Sequence, residues 1–288
     1  MVGLSSETLR KRAILRRVTG KVASYLLLIS ACVVMGMPFF WMLTTAIKSP
    51  TEVSIFPPVW WPETPRFDNF VVAWQTAPFG RFYINSIITA VSGVVLEVAI
   101  AALSAYAFAR IRFRFREPLF MVMLAAMMIP GQVALIPNYV TVKHLAWINT
   151  YAGIVVPHIS SVFGAFLLRQ AFLSIPSALF DAAAIDGMGH VRCLVHIGLP
   201  MARPVVATLT LYLFIAKWNA YLWPLIVTNT QNMRTLPVGL VMVREAEYVI
   251  GPEHLMAASL FVLLPVLVVF FAAQKQLIEG IAAGALKS

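Results

Sequence analysis

Two charged residues that could do chemistry lie inside long apolar stretches of this chain. Glu97 occurs within VSGVVLEVAIAALSAY, and Lys217 occurs within FIAKWNAYLWPL. A charge at the centre of a bilayer costs at least about 2.5 kcal/mol unless it is neutralised, paired or hydrated, so Glu97 is expected to face the interior of a helix bundle. An ion pair between the two residues is one interpretation. We favour the other, a protonated or solvated Glu97 at a helix interface, with Lys217 able to reach the end of its span.

No catalytic or metal-binding motif accompanies these charges. The five histidines lack metal-ligand spacing, and zincin and nucleophile-elbow patterns do not occur in the sequence. The closing GIAAGALKS has the wrong glycine-to-lysine spacing for a phosphate loop, and it follows an apolar run rather than a strand. We therefore expect a chain that is not an enzyme and that binds no metal, nucleotide or other cofactor itself.

Prolines and polar residues interrupt two further apolar stretches. The first, MMIPGQVALIPNY, contains Pro130, Gly131, Gln132, Pro137 and Asn138. The second, WNAYLWPLIV, contains Trp218, Asn219, Trp223 and Pro224. Broken helices are tolerated where the freed backbone groups meet a neighbour or a water-filled cavity, so lining a translocation path and simple kinked packing are equal alternatives. The candidate path residues are Glu97, Gln132, Asn138, Lys217, Trp218 and Asn219.

The composition places the chain in a membrane. Its 288 residues are 60% hydrophobic and 12% charged, with a mean hydropathy of +0.83, which is too apolar for a water-soluble domain. The net charge of +10 comes from short basic clusters beside the apolar runs, which suit an anionic lipid surface rather than nucleic acid. Cys32 lies in an apolar run and Cys193 in a polar loop, so we expect no disulfide between them.

Six apolar windows are long enough to cross a bilayer as helices. They cover residues 22–46, 86–109, 118–141, 150–172, 203–227 and 255–274. The first window is longer than a signal-peptide core and is expected to be a retained signal anchor. The predicted organisation is a basic N-terminus 1–21, a six-span transmembrane domain 22–274 that includes a polar loop 173–202, and a tail 275–288.

Basic residues set the expected orientation. Fifteen Lys and Arg residues lie on the side of the N-terminus and six on the other side. The positive-inside rule therefore predicts that both termini and the loop 173–202 are cytoplasmic. The loop 48–85, rich in proline and aromatic residues, and the loop 228–254 are predicted outside, the former as an irregular segment on the membrane interface.

The cytoplasmic stretch 177–200, which we call the knob, predicts a compact helix-turn-helix. Ser177 is expected to cap a helix over 178–186, and Gly187 and Gly189 are expected to permit the turn that ends it. A second helix is expected to stop where Pro200 follows Leu199. Rigid docking into a groove of another protein and an amphipathic loop on lipid headgroups are comparable alternatives from the physical chemistry alone.

The knob resembles a pattern that marks membrane subunits of ATP-binding cassette (ABC) importers, which reads Glu-Ala-Ala, three residues, Gly, nine residues, Ile-x-Leu-Pro. The matching residues are Asp181, Ala182, Ala183, Gly187, Ile197, Leu199 and Pro200, with Asp181 in place of Glu as the one departure. Segments such as AYAFARIRFRFRE, INTYAGIVVPH, TLPVGL and QKQLIEGIAAGALKS resemble the shorter six-span partner of the maltose-permease type, and the region of WNAYLWPLIV also resembles glycerol-phosphate permeases. Ala220 departs from relatives that carry an acidic residue or Asn there.

The resemblance implies an all-α transmembrane fold, a six-helix ABC importer (type I) permease bundle of the bacterial inner membrane. This chain would form half of the translocation path for a di- or oligosaccharide or a glycerol-phosphate-type solute. The implied partners are a second homologous permease subunit, a homodimeric ABC ATPase that binds ATP and Mg, and an extracytoplasmic substrate-binding protein. The residues implied in ATPase coupling are Asp181, Ala182, Ala183, Asp186, Gly187, Ile197, Leu199 and Pro200, with a second contact from Gly284 and Lys287 in the tail.

An ion-coupled secondary transporter is the alternative function, with Glu97 and Lys217 as a relay. Against it stand the single acid inside the spans, the lack of an obvious inverted repeat with matching broken helices, and the knob, which such a carrier does not need. A structural scaffold explains the spans but neither the knob nor the broken helices. The residues therefore favour a subunit of an ATP-driven importer.

Overall fold

The computed structural model of the chain describes residues 6–245 and 251–285. All regular structure within these ranges is helical, which confirms the expected all-α class. The α-helices are α1 Ser6–Ala46, α2 Pro50–Ser54, α3 Asp68–Thr76, α4 Phe79–Arg110, α5 Arg116–Ala126, α6 Leu135–His144, α7 Tyr151–Val155, α8 Val162–Leu173, α9 Ser177–Ile185, α10 His190–Cys193, α11 Leu199–Met201, α12 Arg203–Trp218, α13 Leu222–Val227, α14 Leu236–Glu245 and α15 Pro252–Ala285. Short 3₁₀ segments cover Gly131–Ala134, Val156–His158 and Gln231–Met233, and a π segment covers Leu194–Gly198.

Up to six membrane spans are available in the described residues, three as straight helices and three as bent pairs. The straight helices are Val18–Ala46, Phe79–Arg110 and Pro252–Gln274, which contain the predicted windows 22–46, 86–109 and 255–274. The bent pairs are Arg116–Ala126 with Gly131–His144 at 88°, Tyr151–His158 with Val162–Leu173 at 51°, and His190–Met201 with Arg203–Trp218 at 87°.

The break predicted in the window 118–141 is present between α5 and α6. The α-helix ends at Ala126, and Pro130 and Gly131 lie in the bend that follows. Pro137, however, does not interrupt the chain, contrary to expectation. It lies in the first turn of α6, where the absent backbone N–H has no intrahelical partner to lose.

The window 150–172 was predicted as one continuous helix, and this was wrong. Its chain turns by 51° between Val156–His158 and α8. Pro157 cannot continue the α-helical hydrogen-bond ladder, and Ser161 starts a new one by accepting a hydrogen bond from the backbone N–H of Gly164 at 2.9 Å. Pro157 and Ser161 are both signals of a helix break in the sequence. The prediction gave more weight to the length of the apolar run than to these two residues.

The window 203–227 also contains two helices rather than one. The α12 helix ends at Trp218, and the side chain of Asn219 donates to the carbonyl of Ile215 at 2.9 Å, which satisfies an end group of the helix. After a short break, α13 begins at Leu222. The aromatic and polar interruption predicted here is thus a helix break.

The loop 48–85 is more regular than predicted, because it contains α2 and α3 and because α4 begins at Phe79. A capping box starts α2, in which the Ser49 N–H donates to Glu52 at 2.8 Å, and the Glu63 N–H donates to the same carboxylate at 2.8 Å. These backbone donors hold the pKa of Glu52 below its usual value. The stabilisation by Glu52 is therefore present at neutral pH and is lost as the pH falls through this lowered pKa.

The described residues divide into two compact units, between Val72 and Ala73 and between Leu260 and Phe261. Within the larger unit, α4 packs chiefly against α8 and α12. Many of the residues that α4 buries are small, namely Ala90, Gly93, Ala101, Ala102, Ala105 and Ala109. Small residues let helices approach closely in a membrane, where no hydrophobic driving force brings them together. One close approach is at Gly164 of α8, where a Cβ would lie 3.2 Å from Ala101 Cβ and 3.3 Å from Leu209.

A fully buried asparagine anchors the first turns of α4. The amide nitrogen of Asn85 donates to the carbonyls of Asn232 and Arg234, both at 2.8 Å. Its oxygen accepts from the hydroxyl of Tyr151 at 2.7 Å. Because each polar atom of the side chain has a partner, Asn85 fixes α4 to α7 and to the segment before α14 at little cost.

Replacing Gly164 by valine should destabilise the protein by about 1–3 kcal/mol, because the added side chain overpacks the junction of α4, α8 and α12. The matched control is Gly131→Val, since a Cβ at Gly131 meets nothing within 4 Å. Denaturant or thermal unfolding of the detergent-solubilised protein measures both variants. Equal stability of the two variants would show that the helices do not meet as closely as described.

Candidate functional site

A cavity of about 560 Å³ lies in the larger unit, among α4, the bent segment between α7 and α8, and the break between α12 and α13. Its volume falls in the range of about 300–1,000 Å³ that is usual for ligand pockets. The lining residues include Thr89, Gly93, Glu97, His158, Ser160, Phe163, Tyr212, Lys217, Ala220, Tyr221 and Trp223. The cavity therefore occurs where the breaks at residues 159–161 and 219–221 meet α4.

Glu97 and Lys217 form an ion pair in the wall of this cavity. The Lys217 Nζ lies 2.6 Å from Glu97 Oε2, and the side chains are 16% and 9% exposed. The same ammonium donates to the carbonyl of His158 at 2.9 Å. The favoured expectation, a protonated or solvated Glu97 at a helix interface, was wrong, because Glu97 pairs with Lys217, and this pairing offsets the cost of an isolated buried carboxylate.

Gly93 makes room for the lysine. A Cβ at this position would lie 2.8 Å from Lys217 Cδ and 3.1 Å from Cε, so any larger residue would displace the lysine stem. Gly93 precedes Glu97 by four residues, and the two therefore share one face of α4.

Aromatic side chains form much of the remaining wall. Phe163 and Tyr212 have ring centroids 5.4 Å apart, and the ring of His158 meets Trp223 edge to face at 5.1 Å. The indole N–H of Trp223 donates to the carbonyl of Gly153 at 3.1 Å, which fixes the ring. Within the described part of the chain, the hydroxyl of Tyr212 has no hydrogen-bond partner, nor does that of Tyr221.

The six candidate path residues do not converge on one place. Glu97 and Lys217 line the cavity, whereas Gln132 lies in the 3₁₀ segment between α5 and α6, and Asn138 lies within α6. Trp218 is buried, and its indole N–H donates to the carbonyl of Val262 at 3.1 Å. Asn219 bonds its own helix. Reasoning from the sequence missed three lining residues, His158, Tyr212 and Tyr221. Each is a single aromatic residue in an apolar run, and such residues carry no signal that would select them.

The knob has the turn that its glycine spacing predicted. Gly187 has φ +77°, and its N–H donates to Ala184 O at 3.0 Å while the Met188 N–H donates to Ala183 O at 2.9 Å. These two bonds are the Schellman motif, which ends a helix at a residue in the left-handed region. Ser177 was wrongly predicted as the N-cap, because α9 begins at Ser177 itself, with the extended Pro176 before it and no side-chain cap.

The second helix of the knob does not stop at Pro200. The chain continues through a π segment, Leu194–Gly198, in which the Leu199 N–H bonds the carbonyl of Leu194, and then through α11. Proline lacks an N–H and crowds the carbonyl four residues before it, and the wider π turn just ahead accommodates both defects. The 87° bend into α12 follows at Ala202.

The two faces of the knob differ. Phe180, Ala183, Cys193 and Leu194 are buried in the same core as α4 and α8. Asp181, Ala182, Asp186 and Gly187 are exposed, and so is Ile185, at 87%. Ile197, Leu199 and Pro200 are partly buried. The residues of the ABC importer pattern therefore contribute both to the face of the knob that packs on the bundle and to its exposed surface.

Arg110, the last residue of α4, holds the knob to the bundle. Its guanidinium donates to the carbonyls of Phe172 and Ile175 at the end of α8, and it lies 4.1 Å from the ring centroid of Phe180. One turn earlier, the ring of Tyr106 packs against Phe172, Phe180 and His190. The sequence indicated only that Arg110 contributes a positive charge beside the membrane. Its three structural partners were not predictable without the fold.

Of the two residues predicted to form a second ATPase contact in the C-terminal tail, the structure describes only one. Gly284 lies near the end of α15, and Lys287 lies outside the described residues.

Comparison with known proteins identifies relatives along most of the chain. Residues 97–282 match the family described as binding-protein-dependent transport system inner membrane component. The diacetylchitobiose uptake system permease protein NgcG of Streptomyces coelicolor is 31% identical over 267 residues, which are 92% of this chain and 88% of that protein. The sn-glycerol-3-phosphate transport system permease protein UgpE of Brucella abortus is 30% identical over 278 residues, which are 92% and 97% of the two chains.

A solved structure supports the fold. One chain of a bacterial ABC transporter involved in the import of the acidic polysaccharide alginate matches with a TM-score of 0.77 and 23% sequence identity. The match covers 96% of this chain and 99% of that one. The match and the all-helical secondary structure confirm the expected all-α ABC permease fold.

Removing the lysine of the buried pair should be costly. Lys217→Met leaves Glu97 uncompensated in an apolar wall and is expected to destabilise the protein by about 3–5 kcal/mol. The double variant Glu97→Gln, Lys217→Met should recover much of this loss, because no unpaired charge remains. Unfolding measurements on both single variants and the double variant test the coupling. Strictly additive effects would contradict an ion pair between the two side chains.

Removing the Arg110 guanidinium should loosen the knob. Arg110→Met loses two hydrogen bonds and a cation–π contact, and is expected to reduce the local stability of the knob by about 1–3 kcal/mol. Hydrogen exchange of residues 177–193 measures this directly. The matched control is Arg112→Met, an exposed arginine two residues away. Unchanged exchange in the Arg110 variant would remove its proposed role in mounting the knob.

Proposed function

Because this chain belongs to the family of inner membrane components of binding-protein-dependent transport systems, we propose that it is the permease subunit of an ATP-driven ABC importer that is driven through its knob. The observation that carries the proposal is the way the knob packs onto the helix bundle. A helix ended by Gly187 presents a free surface on one side and shares the hydrophobic core of the bundle on the other.

The free surface of the knob suits a protein groove better than a lipid surface. The exposed residues of α9 include Asp181 and Ile185, the exposed Asp186 directly follows the helix, and α9 contains no Lys or Arg. Helices that lie on anionic headgroups carry basic residues on their polar face, the reverse of this arrangement. The alanines keep the helix narrow, so a cleft can enclose it closely. This supports docking over the headgroup alternative.

The proposed partner in the cytoplasm is a homodimeric ABC ATPase, which would bind ATP and Mg and carry out the hydrolysis. Closure of that dimer would displace the knob. Arg110 and Tyr106 connect the knob to the end of α4, and Glu97 lies 13 residues earlier on the same helix, about 20 Å away. A movement of the knob would therefore reach the cavity wall through one continuous helix. Gly284 and Lys287 are proposed as a second ATPase contact.

The remaining partners and the orientation complete the proposal. Both termini face the cytoplasm, with the residues 173–202 as the coupling loop. A second homologous permease supplies the other half of the translocation path, and an extracytoplasmic binding protein delivers solute from outside. NgcG and UgpE are named for diacetylchitobiose and sn-glycerol 3-phosphate, respectively. We propose a di- or oligosaccharide or a glycerol-phosphate-type solute as the cargo.

One observation favours a second function, an ion-coupled secondary transporter. The buried Glu97–Lys217 pair is the kind of intramembrane charge that serves as a relay in such carriers. The mounted knob, however, has no role in that mechanism. Uptake into vesicles distinguishes the two functions, because the importer requires ATP and the partner subunits, whereas the carrier requires only this chain and an ion gradient.

Enlarging the exposed face of the knob should prevent it from docking in its groove on the ATPase and so uncouple the importer. Ala182→Trp adds bulk on the exposed face of α9 without touching the core, and it is expected to lower ATP-driven uptake about tenfold or more. Co-purification of the ATPase with the permease pair should fall in parallel, with unchanged thermal stability. The control is Ala125→Trp, an exposed alanine of α5 outside the knob. Full uptake by the Ala182 variant would contradict docking through this face.

A further inference from the structure

We infer that the cavity beside Glu97 and Lys217 is a contact site for an uncharged, polyhydroxylated solute, a saccharide, and that Glu97 disfavours anionic solutes there. This inference rests on the proposed importer function and narrows its cargo. The relatives do not make the choice, because the permeases named for a neutral disaccharide and for a phosphate ester are 31% and 30% identical to this chain.

The charges of the wall sum to zero. Glu97 and Lys217 are the only Asp, Glu, Lys or Arg residues that line the cavity in the described chain, and they lie 2.6 Å apart. The ring of His158 meets Trp223 edge to face, and its backbone carbonyl accepts a hydrogen bond from Lys217. No other charged residue of the wall is left to pair with a phosphate.

An anionic solute would have to approach the ammonium of Lys217 within reach of the Glu97 carboxylate. That ammonium already donates to Glu97 and to the carbonyl of His158, which uses two of its three donors. Like charges brought together in a partly buried site repel strongly. Glu97 therefore compensates Lys217 and at the same time repels the anion that Lys217 would otherwise attract.

A saccharide meets a different surface. Phe163, Tyr212, Tyr221 and Trp223 offer apolar ring faces, and the hydroxyls of the two tyrosines are available to hydrogen-bond a solute. The carboxylate of Glu97 retains acceptor sites beyond the one that Lys217 occupies, and hydroxyl groups can donate to them. Apolar walls with a few fixed polar groups are the usual construction of a site for a small neutral ligand.

The test uses the assembled importer with Ala220→Cys, a substitution at a residue that lines the cavity. The rate at which a water-soluble maleimide modifies this cysteine is measured with diacetylchitobiose or sn-glycerol 3-phosphate as the probe. Peptide mass spectrometry separates the new cysteine from Cys32 and Cys193. Half-protection should require an about tenfold lower concentration of diacetylchitobiose than of sn-glycerol 3-phosphate.

Adding Glu97→Gln should reverse the order, because an uncompensated Lys217 then attracts the phosphate. The matched control is Glu63→Gln, which changes an exposed carboxylate away from the cavity and should leave the order unchanged. Equal protection by both probes, protection by neither, or the same order with Glu97→Gln would overturn the inference. The wild-type comparison decides the question alone if the Glu97 variant does not fold.

ATP-driven uptake by the same preparation separates this inference from the proposed function. Coupled uptake without protection of the cavity cysteine would reject the saccharide site and leave the importer intact. Loss of any dependence on ATP and on the partner subunits would reject the importer itself.

Discussion

The arrangement of the larger unit depends on one constraint, which is that the polar side chains buried or half-buried along α4, among them Asn85, Glu97 and Arg110, must find partners. Asn85 bonds the segment before α14 and the hydroxyl of Tyr151, Glu97 pairs with Lys217 of α12, and Arg110 caps the end of α8. A buried polar group without a partner would cost more than most single packing contacts contribute. The three side chains therefore determine which elements surround α4, and at which height along it.

Small residues between these polar contacts let α4 connect the knob rigidly to the cavity. The buried alanines of α4 and Gly164 of α8 bring the backbones close, so the helices fit together with little freedom to slide. The knob is attached at one end of this assembly and the cavity lies about halfway along it. The chain breaks at Ile159–Ser161 and Asn219–Tyr221 provide the cavity, because each replaces helix by irregular backbone beside α4.

The sequence was informative where a physical signal is local. Apolar length found the straight spans, and the glycine spacing found the turn at Gly187, whose positive φ disfavours other residues. It failed where partners are distant along the chain. The ion pair of Glu97 and Lys217 joins residues 120 positions apart, and Arg110 bonds residues more than 60 positions away. The helix end predicted at Pro200 was wrong because the π turn that accommodates this proline has no recognised sequence signal.

The central claim is that knob and α4 move as one body, and a distance between them tests it most directly. Spin labels at Ala182 of the knob and at the exposed Leu103 of α4, in a chain without its native cysteines, report that distance by pulsed electron paramagnetic resonance in the assembled importer. The claim predicts the same distance distribution with and without ATP, while labels on the two ATPase subunits show closure. A shift of the 103–182 distance on closure would contradict it.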